Sequence, residues 1–67
     1  MARLKEGTII KLLKSFGIIQ TPEGAEGTIV STYDEPFDEA YDVEFISTYP
    51  YVITLQRDDF EIIKEAA

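Results

Sequence analysis

GTIIKLLKSFG, residues 7–17, reads two ways, and a small closed sheet exists on only one of them. Ile9, Leu12, Leu13 and Phe16 have helical spacing, whereas the run Thr8, Ile9, Ile10 prefers a strand. Gly7 and Gly17 bracket the segment and leave room for only about three turns of helix. The rest of the chain favours the strand over residues 8–16, because it supplies partners that need a first strand to pair with.

The clearest partner is AYDVEF, residues 40–45. Tyr41, Val43 and Phe45 fall on one face and Asp42 and Glu44 on the other, the period of a half-buried antiparallel strand. GTIVSTY, residues 27–33, is rich in β-branched residues and follows TPEGAEG, where Pro22, Gly24 and Gly27 read as turn punctuation. YVITLQ, residues 51–56, puts Tyr51, Ile53 and Leu55 on one side, with Pro50 just before it, where proline is tolerated. The tail RDDFEIIKEAA predicts a short helical turn at residues 57–60, capped by Asp58 or Asp59, and a brief last strand at 61–64. About five short antiparallel strands at close spacing, with a helical turn before the last, predict an all-β fold: a small barrel.

Sixty-seven residues allow one domain, residues 1–67, with a small core. Hydrophobic residues make up 45% and charged residues 28%, the balance of a globular chain. There is no Cys and no His, which removes thiolate nucleophiles, imidazole bases and the soft metal ligands together. Neither a cofactor nor a metal is expected. Lys11 and Lys14 divide the apolar N-terminal stretch, which therefore reads as neither signal peptide nor membrane span, and the expected location is cytoplasmic.

The net charge is −7, and its distribution says more than its sum. Arg3, Lys5, Lys11, Lys14, Arg57 and Lys64 all lie towards the two ends, and from Ser15 to Gln56 there is no base at all. If the ends meet in space, charge is polarised across the molecule. Such a surface repels phosphate, so direct nucleic-acid binding is not expected.

The order AEGTIVSTY, AYDVEFI, YVITLQRDDFEII resembles a bacterial domain-of-unknown-function family with a GxxGTIV, AYxVEF, TLxxDDLxxI layout. Gly27, Thr28, Ile29, Val30, Tyr41, Val43, Glu44, Phe45, Thr54, Leu55, Asp58 and Asp59 carry the resemblance, which covers most of the chain. It implies an SH3-like barrel with residues 8–16 as its first strand, and it carries over no catalytic residues. Some relatives are understood to lie near toxin genes, which implies an antitoxin or immunity role. The segment DEPFDEAYD is longer and more acidic here than the short turn of that layout.

That segment belongs to STYDEPFDEAYDVEF, residues 31–45, where Asp34, Glu35, Asp38, Glu39, Asp42 and Glu44 stand among Tyr33, Phe37, Tyr41 and Phe45 without one base. Carboxylate pairs in catalysis need an apolar pocket to raise one pKa and a cleft around both, and a barrel of this size offers little volume; no enzyme activity is expected. The spacing is not that of a calcium loop, and no Gly lies within the segment to make its sharp turn. Two readings remain. The acids can be a solvated face that keeps strands apart, or they can be a partner site. Charge speeds encounter with a basic surface, and rigid rings bury area at low entropic cost. The expected partner-binding residues are Tyr33, Asp34, Glu35, Phe37, Asp38, Glu39, Asp42, Glu44, Tyr49 and Tyr51, with Tyr33, Tyr49 and Tyr51 on the rim and Tyr41 and Phe45 in the core. The partner expected is a basic protein, such as a toxin domain or another nucleic-acid-processing protein. The function expected is that of an immunity protein or antitoxin neutralising a nuclease-type toxin. An accessory subunit docking on a larger enzyme complex, or a phage-type acidic inhibitor of a nucleic-acid-binding protein, is the alternative.

Overall fold

The computed structural model describes residues 3–16, 21–34, 39–46 and 48–67, and for Asp34 the backbone alone. Of the stretch expected as the first strand, Ile9–Leu12 forms β1, with Ile10 and Leu12 buried and Ile9 and Lys11 turned out. The helical spacing of Leu12, Leu13 and Phe16 breaks on Leu13, which is 48% exposed. β2 is Glu26–Asp34, β3 Glu39–Phe45, β4 Tyr51–Gln56 and β5 Phe60–Lys64. A single 3-10 turn, η1, at Arg57–Asp59 precedes β5. All pairings are antiparallel, in the order β4-β3-β2-β1-β5. This is the all-β arrangement expected of a small SH3-like barrel.

The curl of the sheet is visible in one ring contact. β3 and β5 stand three strand spacings apart in that order, about 14 Å on a flat sheet. Tyr41 of β3 nonetheless meets Phe60 of β5 edge-on, with centroids 5.9 Å apart. The sheet therefore wraps round one core, to which every strand contributes: Ile10, Leu12, Ile29, Tyr41, Val43, Phe45, Leu55 and Phe60. Each such side chain contributes about 1.5–3 kcal/mol relative to leaving it in water. Bulges assist the bend. Val30 is passed over between the pairs Ile29–Val43 and Ser31–Asp42, and Ile63 between Ile9–Lys64 and Ile10–Ile62.

The turn chemistry divides the two glycines read as punctuation. Gly24 has φ +89° and follows Pro22 in a turn closed by the Ala25 N–H to the Pro22 carbonyl at 3.1 Å. Gly27 is instead a buried residue inside β2, where a side chain would strike Val43 and Phe45. The predicted helical turn is held by Asp59 rather than begun by it: the backbone N–H of Gln56, the N-cap, donates to Asp59 Oδ2 at 2.9 Å.

The two ends of the chain do meet. β1 pairs with β5, Thr8 Oγ1 accepts the Ala66 N–H at 3.2 Å, and Lys11 faces Glu61 at 3.0 Å. Lys14 reaches Asp59 at 3.0 Å, and Arg57 stacks over Phe60 at 5.2 Å. These cations are matched at the β1–β5 side, while β2 and β3 carry Glu26, Glu39, Asp42 and Glu44.

Candidate functional site

Strand alternation decides which of the acidic segment's residues can meet a partner. Tyr41, Val43 and Phe45 turn inward and are buried; Asp42 and Glu44 turn outward, about 7 Å apart along β3. The Val30 bulge resets the alternation of β2, so Tyr33 also faces outward beside Asp42. Thr54 of β4 lies directly across from Asp42 on the other flank.

These three side chains form one unit spanning three strands. The Tyr33 hydroxyl donates to Asp42 Oδ2 and the Thr54 hydroxyl to Asp42 Oδ1, both at 2.6 Å. The bond from Thr54, and after it the one from Tyr33, holds the Asp42 carboxyl below its ordinary pKa, so it keeps its charge. Donating to that carboxylate, and lying in its field, pushes the Tyr33 phenol up. The result is a carboxylate fixed in direction on an exposed sheet surface, with an aromatic ring 41% exposed at its side. Glu44 continues the acidic row between Thr28 and Val52.

Not every expected residue joins this face. Glu39 accepts a hydrogen bond from the Tyr41 hydroxyl, which in turn accepts the Leu4 N–H at 3.2 Å. Burial first, and that carboxylate second, raise the Tyr41 phenol. Glu39 thereby acts as a support of the core. Tyr51, expected on the rim, instead turns inward: it stacks on Phe45 at 5.8 Å and 24°, packs against the core, and its hydroxyl lies 2.6 Å from Thr21 Oγ1. The reason is its register opposite Phe45, in phase with Ile53 and Leu55. Tyr49 is 81% exposed, before β4. Asp34 closes β2 opposite Glu39, while Glu35, Phe37 and Asp38 lie outside the described residues.

Three contributors escaped sequence reasoning. Thr54 orients Asp42, and the register of AYDVEF against YVITLQ is the signal that would find it. Ile46, 84% exposed, and Val52, 50% exposed, flank Glu44 with apolar surface. Ile46 also helps line a shallow open depression of about 220 Å³ with Ile9, Glu26, Gly27, Thr28 and Glu44. Among the described residues no three acids converge as metal ligands do, and no helix is long and apolar enough to cross a membrane.

The chain matches no family model, no curated protein sequence and no solved structure.

Proposed function

We propose that this protein is an acidic binding module that engages a basic protein surface through the outer face of β2, β3 and β4. The observation that carries this reading is the Tyr33–Asp42–Thr54 unit. A carboxylate that only solubilises a surface needs no fixed direction. One that accepts two hydroxyl donors is pre-oriented towards an incoming cation and loses less side-chain entropy on binding. Its own flanks hold no base; Glu44 extends the negative potential, and Tyr33 offers a rigid ring beside it. In its narrower form the reading is an immunity protein or antitoxin that covers the basic groove of a nuclease-type toxin, as phosphate would.

A second reading has its own observation. Ile46, Tyr49 and Val52 expose apolar surface around the β3–β4 connection, which suits an accessory subunit docking on a larger enzyme. Ionic strength separates the two. Steered acidic binding weakens steeply with salt, and apolar docking does not. Capture of partners on the tagged protein from lysate of the organism that encodes it, at low salt and followed by a salt gradient, tests the pair. A basic partner released at modest salt supports the acidic module, and retention at high salt supports the apolar one.

A further inference from the structure

The two edges of the sheet are built differently. β5 carries Glu61 and Lys64 and a bulge at Ile63, devices that discourage another strand from adding to it. β4, Tyr51–Gln56, carries no charged side chain, and its register with β3 runs without a bulge. Its outward residues Val52, Thr54 and Gln56 are exposed, and its inward residues Tyr51 and Ile53 are only half-buried. Apolar surface is thus open on both sides of this edge. Among the described residues no strand lies beyond it. In an antiparallel ladder alternate residues turn their N–H and C=O away from the partner; Asp59 already holds the Gln56 N–H, so β4 presents about two such donor–acceptor pairs, at Val52 and Thr54, to a newcomer.

We propose that the β4 edge is where the partner docks, and that the occupant is an extended basic segment of the partner protein adding as a sixth strand. The inference rests on the reading of this protein as a binder of basic surfaces and gives that reading its mode. Charge complementarity selects the occupant. The row behind the edge is acidic, Asp42 and Glu44, and only the short side chains of Thr54 and Val52 stand between it and the newcomer. Two strand spacings, about 10 Å, separate the newcomer's backbone from β3, a gap that a Lys or Arg side chain laid over Thr54 or Val52 largely spans. Asp42 is already held in place by the Thr54 hydroxyl. The matching segment alternates, with basic residues over the outer face and apolar ones against Tyr51 and Ile53. A second copy of this chain fits less well, since it adds another net charge of −7 and an identical acidic row.

The test uses the full chain and an eight-residue peptide alternating Lys and Val, with two analogues N-methylated at every second residue, one on each backbone edge. Amide exchange and chemical shifts of residues 51–56 are followed by NMR through a titration at low salt. Expected are protection of alternate β4 amides by about tenfold or more and a comparable loss of affinity on methylating the pairing edge only. Val52→Lys, at a position 50% exposed, should weaken peptide binding as strongly while leaving the circular dichroism melt of the free protein in place. Salt-sensitive binding that is indifferent to N-methylation and leaves β4 exchange unchanged overturns the edge and leaves the basic-partner reading standing. No binding at low salt overturns edge docking, and the lysate capture then judges the broader reading separately. Protection of β4 that rises with protein concentration without peptide assigns the edge to a second copy and overturns the proposal.

Discussion

Gly27→Ala is the substitution whose effect the structure specifies most closely. Gly27 is paired with Ile10 of β1 and turns its Cα towards the core. A Cβ there would meet Val43 Cγ1 at 2.6 Å, Phe45 Cε1 at 2.9 Å and the Glu44 carbonyl oxygen at 3.0 Å. Neither side chain can withdraw freely, because Val43 is fully buried and Phe45 is stacked on Tyr51. Inserting one methyl into a packed core costs about 1–3 kcal/mol. The smaller unfolded-state entropy of alanine offsets about 0.4–1 kcal/mol of it. Two contacts below 3.0 Å put the cost at the upper end, so the expected net loss is about 2 kcal/mol, a large share of the ~3–10 kcal/mol available to a chain of this length. At about 4–8 °C per kcal/mol the melting temperature should fall by about 8–16 °C. Urea unfolding followed by tyrosine fluorescence and far-ultraviolet circular dichroism measures this, with an unchanged slope expected. Val43→Ala in the same background removes the nearest obstacle, so the double variant should lose at least about 1 kcal/mol less than the two single losses summed. A Gly27→Ala protein within about 0.5 kcal/mol of the parent, or strictly additive losses, would refute the steric account.

Further outcomes follow from the same contacts. Tyr41→Phe removes the group that joins the Leu4 amide to Glu39 and should cost about 1–2 kcal/mol in urea unfolding. Because Asp42 holds its proton less tightly folded than unfolded, its hydrogen bonds add stability above its ordinary value of 3.8, and that contribution is lost as pH falls through the lower folded value. Carboxyl carbon NMR should place the Asp42 midpoint below 3.8, and Thr54→Val should move it upward more than Tyr33→Phe does. Lys11→Ala should change stability by no more than about 0.5 kcal/mol, since its pair with Glu61 is exposed on both sides.

The fold was legible wherever one period dominated. AYDVEF announced its own two faces, and the β-branched residues of GTII outweighed a helical spacing that had only Leu12 as a fully buried member. Gly27 reads as punctuation in the sequence because a glycine required by a close approach across the sheet looks, in one dimension, like a glycine required by a turn. Tyr51 reads as a rim ring by residue type, yet its phase with Ile53 and Leu55 assigns it to the inward side, and there the phase decides. The acidic unit was half legible. Asp42 and Tyr33 stood out by composition, but their meeting depends on the bulge at Val30, and Thr54 enters through a register that no local pattern encodes.

The orientation and charge of the outer face are tested most directly by the salt dependence of affinity for the captured partner. The slope of log Kd against log salt should fall when Asp42→Asn and Glu44→Gln are combined, with affinity at low salt weakened by about tenfold or more. Equal slopes and equal affinity for the parent and the double variant would contradict the claim that this acidic face makes the contact.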